Sequence, residues 1–415
     1  MPELASRPFR GAASRISRGL RGAGARALRG AVDLRGAVPR LLLGSVLATL
    51  LAACSDTPLE ERPLDLVPAA LQPSGPVKLP DRGALVGAWV RPADYTDQGR
   101  TDAISGLEKD LGRPLDIVHV YHKWTDDLVD PADKAFVRAG ATLMISWAGA
   151  DTRMVTSGRL DAEITAQAER VKKLKRPILL RYRWEMDRPN LSAQIWSAED
   201  YIAAWKHVRT LFAAAGATNV SWVWCPTAEG FHRGDAGSYY PGDESVDWTC
   251  VDAYTSTTLK PLAEVARPFL TWATARPKPV IIGEYGVSRK FSPEERASWM
   301  RDATRLFQDT PRIKAVSYFN SDPEGNDPAH QYAFDPASLA AFKAMATQDH
   351  FHRRHRPTPL PGGSAYPFPS DEPSASRPDS DSDEPSAAST RPSSTGHPSG
   401  LPARARRSPT ASPSH

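Results

Sequence analysis

Two glutamates follow apolar runs of strand-like composition. Glu185 lies in Arg181-Tyr182-Arg183-Trp184-Glu185-Met186-Asp187, and Glu284 lies in Ile281-Ile282-Gly283-Glu284-Tyr285-Gly286. Glutamate is a poor strand former, and it is unfavourable at a crowded strand end unless it has a role or a partner. Two such carboxyls suit hydrolysis of a glycosidic bond. One donates a proton to the leaving oxygen and the other meets the oxocarbenium-like carbon; a retaining enzyme holds them roughly 5–5.5 Å apart. The plainer alternative is that each merely pairs with an arginine such as Arg181 or Arg183. No Ser-His-Asp order or metal-ligand cluster stands out, so neither a metal nor another cofactor is expected.

Aromatic side chains at strand ends extend this reading. Trp89, Trp124, Trp147, Trp184, Trp224 and Phe319 all lie at or just after such ends. Sugar rings present apolar C–H faces on which aromatic rings stack, while polar groups bind the hydroxyls. Trp89, Trp147 and Trp224 are the first candidates for substrate contact, with Trp184 and Phe319 beside them. His122, in the Tyr121-His122-Lys123-Trp124 segment, is a candidate hydroxyl binder, and Asn320 and Asp322 are weaker ones. Core packing is the alternative for each. Trp196, Trp205, Trp272 and Trp299 lie in or near helical segments and read as packing residues.

These residues need a scaffold, and the chain supplies one between about 85 and 351. Strand candidates run over Leu85–Val90, Asp116–Tyr121, Thr142–Trp147, Pro177–Trp184, Val220–Cys225, Val246–Ala253, Pro279–Glu284 and Lys314–Phe319. Their near-continuous apolar character suits strands buried on both faces. Helical spacing fills the gaps. Asp161–Leu174 places Ile164, Ala168, Val171 and Leu174 on one face; Ser197, Ser292-Pro293 and Asp335-Pro336 mark helix starts. Eight alternating units in roughly 265 residues predict a single (β/α)8 barrel with the site at the strands' C-terminal ends. A doubly wound open sheet is disfavoured, because no Gly-rich phosphate loop follows the first strand. Cys225 and Cys250 fall on successive strands. Their heights are expected to differ, which favours two buried free thiols over a disulfide.

The ends of the 415-residue chain differ in composition from this core. Residues 1–53 carry nine arginines against Glu3 and Asp33, and finish in an apolar run over Leu41–Ala53. That run is too short to span a bilayer and resembles the apolar region of a signal peptide. Small residues before Cys54 predict cleavage there and lipidation of its thiol, hence a lipoprotein on the outer face of the cytoplasmic membrane. Residues 54–80 read as a Pro-rich tether, 81–352 as the barrel, and 353–415 as a disordered Pro/Ser-rich tail. Without residues 1–53 the formal charge moves from +4 to −3, which gives no support for nucleic-acid binding. A monomer acting on a polysaccharide is expected.

The segment Tyr239-Tyr240-Pro241-Gly242-Asp243, continuing through Val246-Asp247 to Val251-Asp252-Ala253-Tyr254, resembles a signature of glycoside hydrolase family 26. Pro279–Gly286 is similar to that family's nucleophile strand, and Arg183–Asp187 to its acid/base strand. The resemblance spans about residues 85–350. It implies a retaining barrel glycosidase with Glu185 as acid/base, Glu284 as nucleophile and Tyr254 hydrogen-bonded to the nucleophile. Mannanases of the family usually carry His-Glu-Met-Asn at strand four, where this chain has Trp184-Glu185-Met186-Asp187. That departure implies a divergent branch, with a β-linked substrate of the mannan or β-glucan class. The rival reading is a non-catalytic carbohydrate-binding lipoprotein on a degenerate barrel.

Overall fold

The computed structural model describes residue 71 and residues 75–322 and 327–351. The leader over 1–53, the lipidation candidate Cys54, most of the tether and the tail over 353–415 lie outside the described residues. Among the described residues, no helix is long and apolar enough to cross a membrane.

Eight parallel strands close into a barrel: β1 (Leu85–Val90), β2 (Ile117–His122), β3 (Thr142–Trp147), β4 (Ile178–Tyr182), β5 (Val220–Trp224), β6 (Trp248–Thr255), β7 (Val280–Val287) and β8 (Ile313–Asn320). Closure is made by β1, which pairs with both β2 and β8. The helices are α1 (Asp97–Leu111), α2 (Pro131–Arg138), α3 (Thr152–Thr156), α4 (Asp161–Lys173), α5 (Ser192–Ile195), α6 (Ala198–Ala214), α7 (Ala228–Arg233), α8 (Leu262–Ala273), α9 (Pro293–Asp309) and α10 (Pro336–Ala346). The expected (β/α)8 barrel is therefore the observed fold. The expected helix starts also hold: Ser197 caps α6, and Ser292 and Asp335 form capping boxes with a proline in the first turn.

Strand alternation divides the core in two. Side chains pointing outward, such as Val86, Val118, Ile145, Leu180 and Ile282, pack beneath the helices. Those pointing inward, such as Leu85, Ile117, Met144, Leu179, Val223 and Ile281, fill the lower barrel. Residues 75–80, read as the end of the tether, close the barrel floor: Val77 is buried with the inward cluster, and its N–H donates to Ser221 Oγ at 3.0 Å.

Cys225 and Cys250 form a disulfide and are not free thiols. The expected difference in height does not exist. Register pairs Val223 with Trp248 and Trp224 with Thr249, so the next residues on each strand stand opposite each other, with Cα atoms 4.3 Å apart. Gly283 on β7 faces this bridge. A Cβ there would lie 2.3 Å from Cys250 Sγ, so only glycine fits.

Candidate active site

Both glutamates reach the same space at the C-terminal mouth, by different local devices. Strand β4 ends at Tyr182, and the chain turns through left-handed backbone at Arg183 (φ 49°) and Glu185 (φ 53°). Such conformations are strained for non-glycine residues and gather at functional sites. The Glu185 N–H donates to the Cys225 carbonyl at 2.7 Å, which pins the turn to β5. Glu284 is aimed differently. Between Val251 and Asp252 the β6–β7 register slips by one residue, so Asp252 pairs with Glu284. Tyr285, the next residue, packs outward with the helices.

A carboxylate oxygen from each of Glu185, Asp252 and Glu284 lies within 4.8 Å of the others. Arg181, fully buried inside the barrel, donates from Nη1 to Glu284 Oε1 at 2.8 Å and from Nη2 to Asp252 Oδ2. Tyr254 Oη donates to the other oxygen, Glu284 Oε2, at 2.6 Å. Burial, reinforced by the Glu284 charge, holds the Tyr254 hydroxyl well above its ordinary value, so it remains a donor. Arg188 Nη1 donates to Glu185 Oε2 at 2.7 Å. Burial pushes the Glu185 carboxyl up to about 7; the Arg188 guanidinium opposes this and the Glu284 charge adds to it. Burial also pushes Asp252 well up, with Arg181 opposing. Three carboxyls therefore share two guanidiniums, and one bound proton makes the cluster neutral.

Below this cluster, His119 Nε2 accepts from Arg181 Nη1 at 3.1 Å and lies 2.7 Å from Ser146 Oγ. Burial, together with the nearby Arg181 charge, holds the His119 pKa well below its ordinary value, so the ring is neutral and can accept from Arg181. His119, Arg188 and Asp252 were not among the expected site residues, and Arg181 was expected only as a pairing partner of a glutamate, which it is for Glu284. His119 and Arg181 share the inward face with Ile117 and Leu179, and that parity is the signal that would have found them.

The expected aromatic residues divide. Trp89, Trp184, Tyr254 and Phe319 gather at the mouth with Tyr121 and Tyr332. Tyr121 lies 5.1 Å from Trp89, 5.3 Å from Trp184 and 6.3 Å from Phe319 between ring centroids, and Tyr254 lies 4.6 Å from Tyr332. Trp89 Nε1 and Trp184 Nε1 are buried atoms with no hydrogen-bond partner among the described residues. The buried Tyr121 hydroxyl faces the Glu284 carboxylate; burial, reinforced by that charge, holds it well above its ordinary value. Trp147 and Trp224 point the other way and are fully buried beneath the helices. Trp147 stacks on Trp124 at 4.6 Å, and Trp224 packs against Tyr240 and Trp272. His122 also faces outward: its Nε2 lies 2.8 Å from Asp133 on α2, in a buried cluster with Asp130 and Arg100. Arg100 already supplies that cluster with its cation. Asn320 accepts from the Phe334 N–H, and Asp322 accepts from the Ala333 N–H and pairs with Arg289, so both hold the loop after β8.

Trp196 reverses its expected role. It is 52% exposed and is not a packing residue.

Comparison with known proteins places this geometry in context. The family model described as glycosyl hydrolase family 26 matches residues 141–271. Endoglucanase H of Acetivibrio thermocellus is 29% identical over 284 residues, covering 63% of this chain and 30% of the relative. A β-1,3-xylanase of a Vibrio species is 29% identical over 150 residues, covering 34% of this chain and 30% of the relative. The chain thus spans about a third of the length of these curated relatives. Among solved structures, the catalytic domain of a family 26 endo-β-1,4-mannanase from Bacillus sp. JAMB-750 has the same fold. Its TM-score is 0.50 at 15% identity, over 65% of this chain and 87% of that one.

Proposed function

We propose, for a chain that is a divergent member of glycosyl hydrolase family 26, that it hydrolyses a β-linked polysaccharide of the mannan or β-glucan class with retention of anomeric configuration. The observation that carries this reading is the Glu185–Glu284 pair. One carboxylate oxygen of each lies within 4.8 Å of one of the other, an approach in keeping with the close pair of a retaining enzyme, roughly 5–5.5 Å between carboxyls, rather than the wider gap that admits a water in inverting ones.

The two environments assign the roles. Glu284 accepts from Arg181 and Tyr254, which fix its orientation for attack on the anomeric carbon. Glu185, pushed up to about 7, is protonated in a large fraction of the molecules at neutral pH and gives that proton to the leaving oxygen. Once Glu284 is glycosylated its negative charge is gone, and with it one of the causes that raise Glu185. Glu185 then takes a proton from water, which attacks the glycosyl-enzyme and regenerates Glu284. The unpartnered indole donors of Trp89 and Trp184 match the acceptor oxygens of sugar hydroxyls, because buried polar groups are rarely left unbonded.

The same proposal places the protein outside the cytoplasmic membrane, anchored through Cys54. The apolar run before Cys54 supports this, as does the Cys225–Cys250 disulfide, a bond that persists in oxidising compartments.

The test is reducing-sugar release from β-mannan, mixed-linkage glucan, laminarin, cellulose and xylan, beside Glu185→Ala and Glu284→Ala. Release from one polymer that falls by roughly a thousandfold in both variants supports the reading. Tight binding without release, unchanged in both variants, leaves a carbohydrate-binding barrel instead.

A further inference from the structure

The large apolar side chains that the described fold leaves exposed are Tyr95, Met154, Trp196 and Leu259. They lie on separate segments: after β1, after β3, after β4 and after β6. Each segment runs from the C-terminal end of a strand to the next major helix. All four therefore sit on the barrel face that carries Glu185 and Glu284.

Trp196 is the largest of the four and the most elaborately held. It follows α5, with its backbone at φ 64° and ψ −66°, a conformation a bulky residue does not adopt without compensation. The compensation comes from residues 149–153, distant in sequence, and from Arg183. Its indole Nε1–H donates to Asp151 Oδ2 at 2.7 Å. The Arg153 guanidinium lies over the ring, 4.2 Å from its centroid, and is itself paired with Asp200. Arg183, from the same turn as Glu185, ties the two loops together by donating to the Gly149 carbonyl at 2.8 Å and to Gln194 Oε1 at 2.6 Å. Thr152 Oγ1 adds a bond to the Ile195 carbonyl at 2.9 Å. One ring face is covered by a cation and the indole N–H is satisfied. An exposure of 52% therefore corresponds to a ring with its other face open.

The geometry points to Trp196 as a stacking platform for a sugar unit of the β-linked glycan, remote from the bond being cleaved. This rests on the glycosidase reading above. A rigid indole with one free face suits the apolar C–H face of a pyranose, and Arg153 beneath it both fixes the ring plane and polarises it. The link through Arg183 joins the platform to the loop that presents Glu185, so a chain lying across this face would engage both. Trp184, Tyr121 and Trp89 line the barrel mouth itself. Trp196 is exposed on the segment that follows β4, and on this proposal it is met by the outer units of a longer glycan.

The test uses the full chain carrying Glu284→Ala, so that bound glycan is not turned over. The probes are tri- and hexasaccharides of β-1,4-mannan, β-1,4-glucan, mixed-linkage β-glucan and β-1,3-xylan, with affinities measured by calorimetry. Adding Trp196→Ala is expected to weaken binding of the preferred hexasaccharide roughly three- to tenfold, with a smaller effect on its trisaccharide. Trp196→Phe, which keeps an aromatic face but not the bond to Asp151, should recover most of that loss. Equal hexasaccharide affinity with and without Trp196 overturns the platform and leaves the glycosidase reading standing. Failure of the Glu284→Ala chain to bind any probe overturns both.

Discussion

Glu185 is a carboxyl whose chemistry is set by its neighbours, and its pH behaviour has a definite sign. As the acid it must carry a proton, so kcat/KM falls as pH rises through about 7. Arg188 favours the charged form of Glu185. Its replacement in Arg188→Gln should move that basic limb to higher pH by about one unit, read from a pH profile of kcat/KM. An unmoved limb would assign the titration to another group. Stability runs in the matching direction. The folded carboxyl binds its proton more tightly than the unfolded one, at about 7 against 4.5. The stabilisation from that proton is complete below 4.5 and lost as pH rises through 7. Glu185→Gln should therefore gain about 1–2 kcal/mol of stability over the parent at pH 8 and little at pH 5, as measured by melting, the gain limited by the unpaired Arg188. Tyr254→Phe removes one of the two donors on Glu284. It should lower kcat by about ten- to a hundredfold with little change in KM, because the lost bond orients the nucleophile rather than the substrate.

The strands themselves were legible at the scale of the element: every expected strand lies within a few residues of an observed one, because buried parallel strands announce themselves as apolar runs. What those runs hide is which face each residue takes. Trp147 and His122 end their strands one residue beyond the inward-facing Ser146 and Tyr121, so alternation turns both away from the mouth. Trp224 precedes the inward Cys225 and is turned away likewise. Glu284 is the converse case. Ile281 points inward, so strict alternation would put Gly283 inward and Glu284 outward among the helices. The one-residue register slip between Val251 and Asp252 leaves Gly283 as the extra residue on β7, so that Gly283 and Glu284 both face inward. A bulge of that kind leaves no mark in hydropathy, although Gly283 and the Gly286 that admits the Tyr332 ring hint at close approach. The outward tryptophans give a test of element packing. Trp147→Ala should destabilise the barrel by about 3–5 kcal/mol and leave the KM of the remaining folded protein unchanged. Trp89→Ala should raise KM with a smaller loss of stability. Denaturant melts and steady-state kinetics on both variants separate the two roles, and a KM effect confined to Trp147 would reverse them.

For the whole molecule, the disulfide ties the barrel's interior to the compartment in which it folds. Cys225 and Cys250 are 25 residues apart and both fully buried, directly beneath Asp252 and packed on Gly283. Closing a loop of that length restricts the unfolded chain by about 3.5 kcal/mol in the chain-entropy model. Its position below the carboxylates gives it a second effect. Cys225, directly after β5, supplies the carbonyl that receives the Glu185 N–H, and β6 supplies Asp252 and Tyr254, so the bridge fixes the relative height of the two strands that present the site. A barrel folded in a reducing cytosol should therefore keep the fold but melt at a lower temperature than one folded under oxidising conditions, with a stability difference of about 2–4 kcal/mol. Thiol titration in denaturant should find both cysteines free in the first preparation and neither in the second. Cys225→Ala/Cys250→Ala should melt like the reduced form under either condition. Should the double variant match the oxidised protein in stability, the bridge contributes nothing to the fold. Lower kcat in the reduced protein at unchanged stability would instead place its effect on the alignment of Glu185 with Glu284.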